Sequence, residues 1–232
     1  MGQYWQVINL DKCQTRGHWG KLGECLFDGS PNILVPLLKQ DVTNHSHSSA
    51  IPPEKTWAAD CIICLGDYHK DLPAGMLTTS EQEELEKAGD EEDGMELYSF
   101  ANYQYQYVDG IDGCNRLEQN GQNWVLCNLS KHEYVREEAI KVNSFDRGGN
   151  SYPIEEIGLG QVVLSRICWS TDDSCAMRYK EDIHRGVWAG NRFDITTIDQ
   201  FKLVDGEKEW KDVSDEVIKE MTEIWVSKYS EK

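Results

Sequence analysis

The chain reads as an α+β protein, strand-rich, made of two related halves from a tandem duplication packed as a pseudo-twofold single globule. Three observations lead there. The phrase WQVINLDK at 5–12 returns as WVLCNLSK at 124–131. LGE at 22–24 has a partner in LGQ at 159–161, and WAADCI at 57–62 has one in WAGNRF at 188–193. All three pairs recur in one order, and each copy is followed by a polar helix. Two copies at so long a period make a pair of halves, 1–118 and 119–232, and not a solenoid. Each half needs the other to cover its strands, so one compact unit is expected.

The elements follow in chain order. Each repeated phrase is a first strand, with Trp and alternate apolar residues facing a core and Asn-Leu-x-Lys closing it in a turn. Strands are predicted at 4–10, 60–66, 98–108, 123–129, 161–169 and 192–204, from β-branched and aromatic content in short apolar runs. Ser30-Pro31 opens a short helix over 31–39, with Pro36 a weak point in it. Thr78 and Glu81 form a capping box, and Gly89 ends that helix. The last helix carries Val217, Ile218, Met221, Ile224 and Trp225 on one face, with Glu216, Lys219, Glu220 and Glu223 outside. Between them lie a polar loop at 40–55, an acidic one at 89–96 and a Gly-rich one at 143–153.

Composition narrows the function. The 232 residues carry 41 acidic and 23 basic side chains, a net charge of −18, which repels phosphate backbones and anionic lipid. Nucleic-acid and membrane-surface binding are therefore not expected. No apolar run is long enough for a membrane span, and MGQYWQVINL has neither a basic region nor a cleavage site, so the expected location is cytoplasmic. Gln6 stands where a myristoylation signal wants Ser or Thr. The eight cysteines are scattered, several inside apolar runs, and read as buried free thiols in a reducing compartment.

No motif names a reaction. Cys61-Ile62-Ile63-Cys64 has redox spacing but sits in a strand pattern, where residues three apart face opposite sides, so core cysteines are expected. His45 and His47 could grip a metal only with further ligands that spacing does not supply. DGIDG (109–113) and STDDS (170–174) leave a divalent ion open, though ordinary turns explain both. DRGGNS (146–151) opens no helix and is no phosphate loop. HRGVWAGNRFD (184–194) is the densest polar–aromatic cluster: either His184, Arg185, Trp188 and Arg192 line a pocket for an anionic or carbonyl group, or Arg192 and Asp194 form an ion pair on one strand face with Trp188 as core. Tyr103, Tyr105 and Tyr107 alternate on one face of the strand expected at 98–108, and either line a cleft for a flat ligand or cover the sheet.

MGQYWQVINLDK, WGKLGECLFDGSP, CLGDYHKDLP, NWVLCNLSKHEYV, VVLSRICWS, HRGVWAGNRFDI and WKDVSDEV together resemble a largely uncharacterised family of mushroom-forming fungi, some of whose members are fused to F-box segments. The family pattern has Trp-Ala-Gly-Asp where this chain has Trp57-Ala58-Ala59-Asp60 and Trp188-Ala189-Gly190-Asn191, so the second copy lacks the carboxylate. The resemblance implies no assigned reaction. The F-box fusions imply a recognition module, acting alone here because no F-box-like segment is seen. A looser likeness to pigment-binding fruit-body chromoproteins of the pink oyster mushroom type implies a non-covalently bound, indole-type chromophore. The expectation is thus a non-enzymatic protein holding a small aromatic ligand or pigment. The alternatives are a protein-interaction module and an enzyme of unidentified class; a homodimer stays open.

Overall fold

The computed structural model describes residues 2–16, 19–27, 30–39, 56–89, 95–108, 123–140, 144–147, 150–153, 157–172, 183–204 and 209–230. In chain order these form β1 (Trp5–Asn9), β2 (Gln14–Arg16), α1 (Leu22–Phe27), a 3-10 turn (Ser30–Ile33) leading into α2 (Leu34–Leu37), β3 (Cys61–Gly66), α3 (Thr79–Ala88), α4 (Leu97–Gln104) and β4 (Gln106–Tyr107). There follow β5 (Trp124–Asn128), β6 (Glu133–Arg136), α5 (Glu137–Ile140), β7 (Ser144–Arg147), β8 (Asn150–Pro153), α6 (Leu159–Ile167), β9 (Cys168–Trp169), β10 (Asn191–Thr197), α7 (Ile198–Val204), β11 (Lys211–Asp212) and α8 (Ser214–Ser230). The protein is mixed α and β, and among the described residues helix exceeds strand, which corrects the strand-rich expectation. No helix among them is long and apolar enough to cross a membrane.

Three predicted strands are wholly or partly helical. Over 98–108 the chain forms α4 and only then the two-residue β4. Leu97, Tyr98 and Ala101 fall on one buried helical face, and the alternation of tyrosines begins where that face ends. Over 161–169 the chain is α6 followed by β9; residues 161–168 are all buried, so the run shows no polar face and its valines imitate a strand. The strand predicted at 192–204 stops at Thr197, whose hydroxyl accepts the Gln200 amide at 3.3 Å and starts α7. The capping box of α3 is present, with Thr78 and Glu81 bonded reciprocally. Gly89 caps it in extended backbone, without a left-handed turn.

The chain divides into two compact units, each drawn from three stretches: 1–26, 60–109 and 164–191 in the first; 27–59, 110–163 and 192–232 in the second. In the first unit β1 lies antiparallel between β2 and β3, with Asn9 opposite Gln14 on one side and Ile62 on the other. β4 extends the sheet beyond β2, and β9 runs parallel to β3. One face of this sheet buries Ile8, Leu10, Cys61, Ile63 and Leu65 against Leu97, Tyr98 and Ala101 of α4. Each large apolar side chain there contributes about 1.5–3 kcal/mol by leaving water. Gln6 is buried among them because its amide donates to the Tyr98 carbonyl at 2.6 Å.

The second unit uses the same ladder. β5 lies antiparallel between β6 and β10, with Asn128 opposite Glu133 and Phe193. Asn9 and Asn128 close the same turn: each carboxamide oxygen accepts the amide of the lysine three residues on, at 3.0 and 3.1 Å. The next residues, Cys13 and His132, both take positive φ, 49° and 54°. LGE and LGQ also share a role, since Glu24 and Gln161 accept the backbone amides of Lys21 (3.2 Å) and Gly158 (3.0 Å) at helix starts. The core here holds Trp57, Leu34, Leu37, Leu38, Val125, Phe193 and Ile195, with Val217, Met221, Ile224 and Trp225 of α8. Ile218, expected on that buried face, is half-buried.

Candidate functional site

The most polar buried ground among the described residues lies in the first unit, around the turn after β9. β3 holds β9 in parallel register, Cys64 opposite Cys168 and Leu65 opposite Trp169. Residues 183–190 then fold back along this strand. His184 carbonyl accepts the Ser170 amide at 2.8 Å, Gly186 donates to the Cys168 carbonyl at 2.7 Å, and Trp188 donates to the Arg166 carbonyl at 2.8 Å. Gly186 has to be glycine, because a Cβ there would run into the backbone of Arg166 and Cys168.

Two arginines and two tryptophans result, paired. Arg166, only 4% exposed, places its guanidinium carbon 4.7 Å from the centre of the fully buried Trp188 ring. Arg185, half-buried, lies 6.0 Å from the centre of Trp169 and donates to the Thr171 carbonyl at 3.1 Å. The Trp169 indole N–H donates to the Asp71 carbonyl at 3.0 Å. Behind them Gln3 donates to Ser170 Oγ at 2.6 Å, and its other amide atom, Oε1, is buried with no hydrogen-bond partner among the described residues. Gln3 fits only because Gly66 has no side chain. His184 is likewise buried.

Burial favours the neutral form of neighbouring titratable groups. Burial lowers His69 below its ordinary 6.5, against the Gly66 carbonyl, which it meets at 2.9 Å, and the charges of Glu96, Asp71 and Asp67. Burial pushes the Cys168 thiol up, with Cys64 reinforcing the effect, and Cys168 donates to the Leu164 carbonyl at 3.0 Å. Tyr98 is raised to about 12 by burial and by Asp67 and Cys64. Cys25, Cys61, Cys64, Cys127 and Cys168 are buried free thiols, as the sequence predicts; Cys13 is exposed. A protonated, buried thiol is a poor nucleophile.

The structure gathers some of the predicted site residues and scatters others. His184, Arg185 and Trp188 stand together. Arg192 belongs to β10 in the second unit, exposed, donating to the Ala59 carbonyl at 3.0 Å. The tyrosines share no strand face: Tyr103 is on α4 and 73% exposed, Tyr105 caps that helix half-buried, and Tyr107 is on β4 and 53% exposed. Burial drives the Tyr105 phenol up, helped by Cys13, Glu81 and Glu84. Gln3, Arg166 and Trp169 escaped sequence reasoning, and Ser170 was read only as part of the STDDS turn. The signal for Arg166 and Trp169 was a charged residue inside the apolar run VVLSRICW. His45, His47, DGIDG and the last two residues of STDDS lie outside the described residues, as do the side chains of DRGGNS. Among the described residues no group of three or more His, Cys, Asp or Glu side chains is arranged to hold a metal.

The second unit provides an internal comparison. There Trp57 donates to the Leu37 carbonyl at 2.5 Å, as Trp188 does to Arg166, and Lys39 bridges Ile195 in parallel, as Cys168 pairs with Cys64. At matching points of the ladder the first unit has Arg166, Gln6 and Thr15, and the second has Leu37, Val125 and Tyr134. Comparison with protein-family models, with curated proteins and with solved structures finds no match to this chain.

Proposed function

We propose that the protein is a non-enzymatic binding protein for a small aromatic ligand, taken up in the first unit at the Trp169–Arg185 face with Arg166, Ser170, His184 and Gln3 behind it. The observation that carries this reading is the buried Arg166 guanidinium on Trp188, at a position where the second unit places Leu37. Burying a cation costs several kcal/mol after relaxation before its contacts offset that cost, and the second unit makes the same ladder with an apolar leucine at that point. Indole faces beside guanidinium groups suit a flat ring bearing a carbonyl or carboxylate, the chemistry of an indole-type pigment. The buried free thiols support a reducing, cytoplasmic setting. The matching registers, turns and helix starts support descent of the chain from a tandem duplication.

Native mass spectrometry with an absorption spectrum, on protein from its source organism, tests the reading. A mass released on denaturation, lost from Arg185→Ala or Trp169→Phe at unchanged melting temperature, is the expected result. A bare polypeptide mass without absorption beyond the aromatic band would overturn it. A second reading, a protein-interaction module, rests on the exposed Tyr103 and Tyr107, the latter hydrogen-bonded to Arg16. Under it, Tyr103→Ala and Tyr107→Ala weaken capture of a partner and leave ligand retention unchanged.

A further inference from the structure

We infer that the two repeats trade a segment: each unit is completed by a stretch, ending in a Trp-Ala phrase, that the other repeat encodes. This rests on the duplication reading and not on the ligand. The first unit takes 164–191 from the second repeat, and the second unit takes 27–59 from the first. The crossing points match to within one residue. Phe27 and Leu164 each stand five residues after the leucine of the Leu-Gly phrase. At the far end Ala59 and Gly190 are both the third residue of a Trp-Ala phrase, and both have left-handed backbone, φ 65° and 73°.

The contacts made by the traded stretches also correspond. In the second unit Leu38 carbonyl accepts the Ile195 amide at 2.8 Å, and Ala59 donates to the Phe193 carbonyl at 2.6 Å. In the first unit β9 pairs with β3, and Gly190 donates to the Ile62 carbonyl at 3.0 Å. Ile62 and Phe193 are themselves counterparts, opposite Asn9 and Asn128. Buried Trp57 thus belongs to the core of the second unit although its own repeat is the first, and Trp188 does the reverse. An exchanged segment makes the same interactions that an unexchanged one would, so a duplicated chain reaches this arrangement without new chemistry, as a swapped dimer does. The consequence is that neither repeat holds a complete core of its own.

Hydrogen exchange on the full chain tests this through paired substitutions. Trp57→Phe is expected to speed exchange at least tenfold in 124–128 and 192–197 while leaving 5–9 and 61–66 near their original rates. Trp188→Phe is expected to do the opposite. Leu38→Val and Ile167→Val repeat the comparison with smaller packing losses, should a tryptophan variant not fold. Loosening by Trp57→Phe within 5–9 and 61–66 would overturn the exchange, as would an equal rise in both units from either member of a pair.

Discussion

Ala59 and Gly190 occupy matching left-handed positions, but only one of them is glycine. A side chain in that conformation costs about 1–2 kcal/mol. At Gly190 an added Cβ would also come within 2.8 Å of Met76 Cγ. Gly190→Ala is therefore expected to lower stability by about 1–2 kcal/mol in urea unfolding. Ala59→Gly, which trades strain for chain entropy, should move it by less than about 1 kcal/mol. His69 gives a pH signature. Burial holds its folded value below 6.5, so its share of stability is complete above pH 6.5 and is lost as pH falls toward the lowered folded value. The melting temperature should fall as pH drops below 6.5, and His69→Gln should flatten that slope. At this scale the sequence was legible where a side chain acts locally, as with Asn9, Asn128 and the Thr78–Glu81 box. It was silent on Arg166, whose meaning depends on a tryptophan 22 positions away meeting it.

Helix α3 is held mainly by its own ends. It buries no residue, and Leu85 alone of its side chains reaches the apolar cluster, partly buried. Thr78→Ala removes the cap and is expected to weaken this helix by about 1 kcal/mol. Amide exchange in 79–88 should rise while the global unfolding midpoint hardly moves. The repeated first strands were legible because Trp, β-branched residues and a terminal Asn-Leu turn agree on one structure. α6 was not, because it is buried on nearly every side and lacks the polar face whose period of 3.6 identifies a helix; α4 was not, because the spacing of Tyr103, Tyr105 and Tyr107 across its exposed end imitates a strand. α7 could have been found from Thr197 and Gln200, a cap signal hidden behind a strand that runs directly into it.

For the whole molecule the dominant surface term is the charge of −18. Like charges repel across the folded surface, and the screening length shrinks from about 30 Å at 0.01 M salt to about 8 Å at 0.15 M. The melting temperature should therefore rise over that interval, with most of the gain before physiological ionic strength. A fall or a flat response would show that attractive surface pairs such as Arg136 with Asp212 and Glu138 outweigh the repulsion. The order of repeated phrases was readable from the sequence. Which stretch completes which core was not, because order along a chain does not say which of two equivalent partners a segment joins.

The first unit includes 60–109 and 164–191, so its parts are made at different times. At a synthesis rate of roughly 5–20 residues per second, about 3–11 seconds pass between the end of its second stretch and the start of its third. Through that interval β1 and β3 exist without Trp188, β9 or the end of α6. The nascent chain must keep Ile62 and Cys64 from other partners while it waits, which makes synthesis speed and chaperone supply determinants of yield. A ribosome stall placed between residues 110 and 163 would leave a polypeptide long enough to contain a first half and unable to finish it.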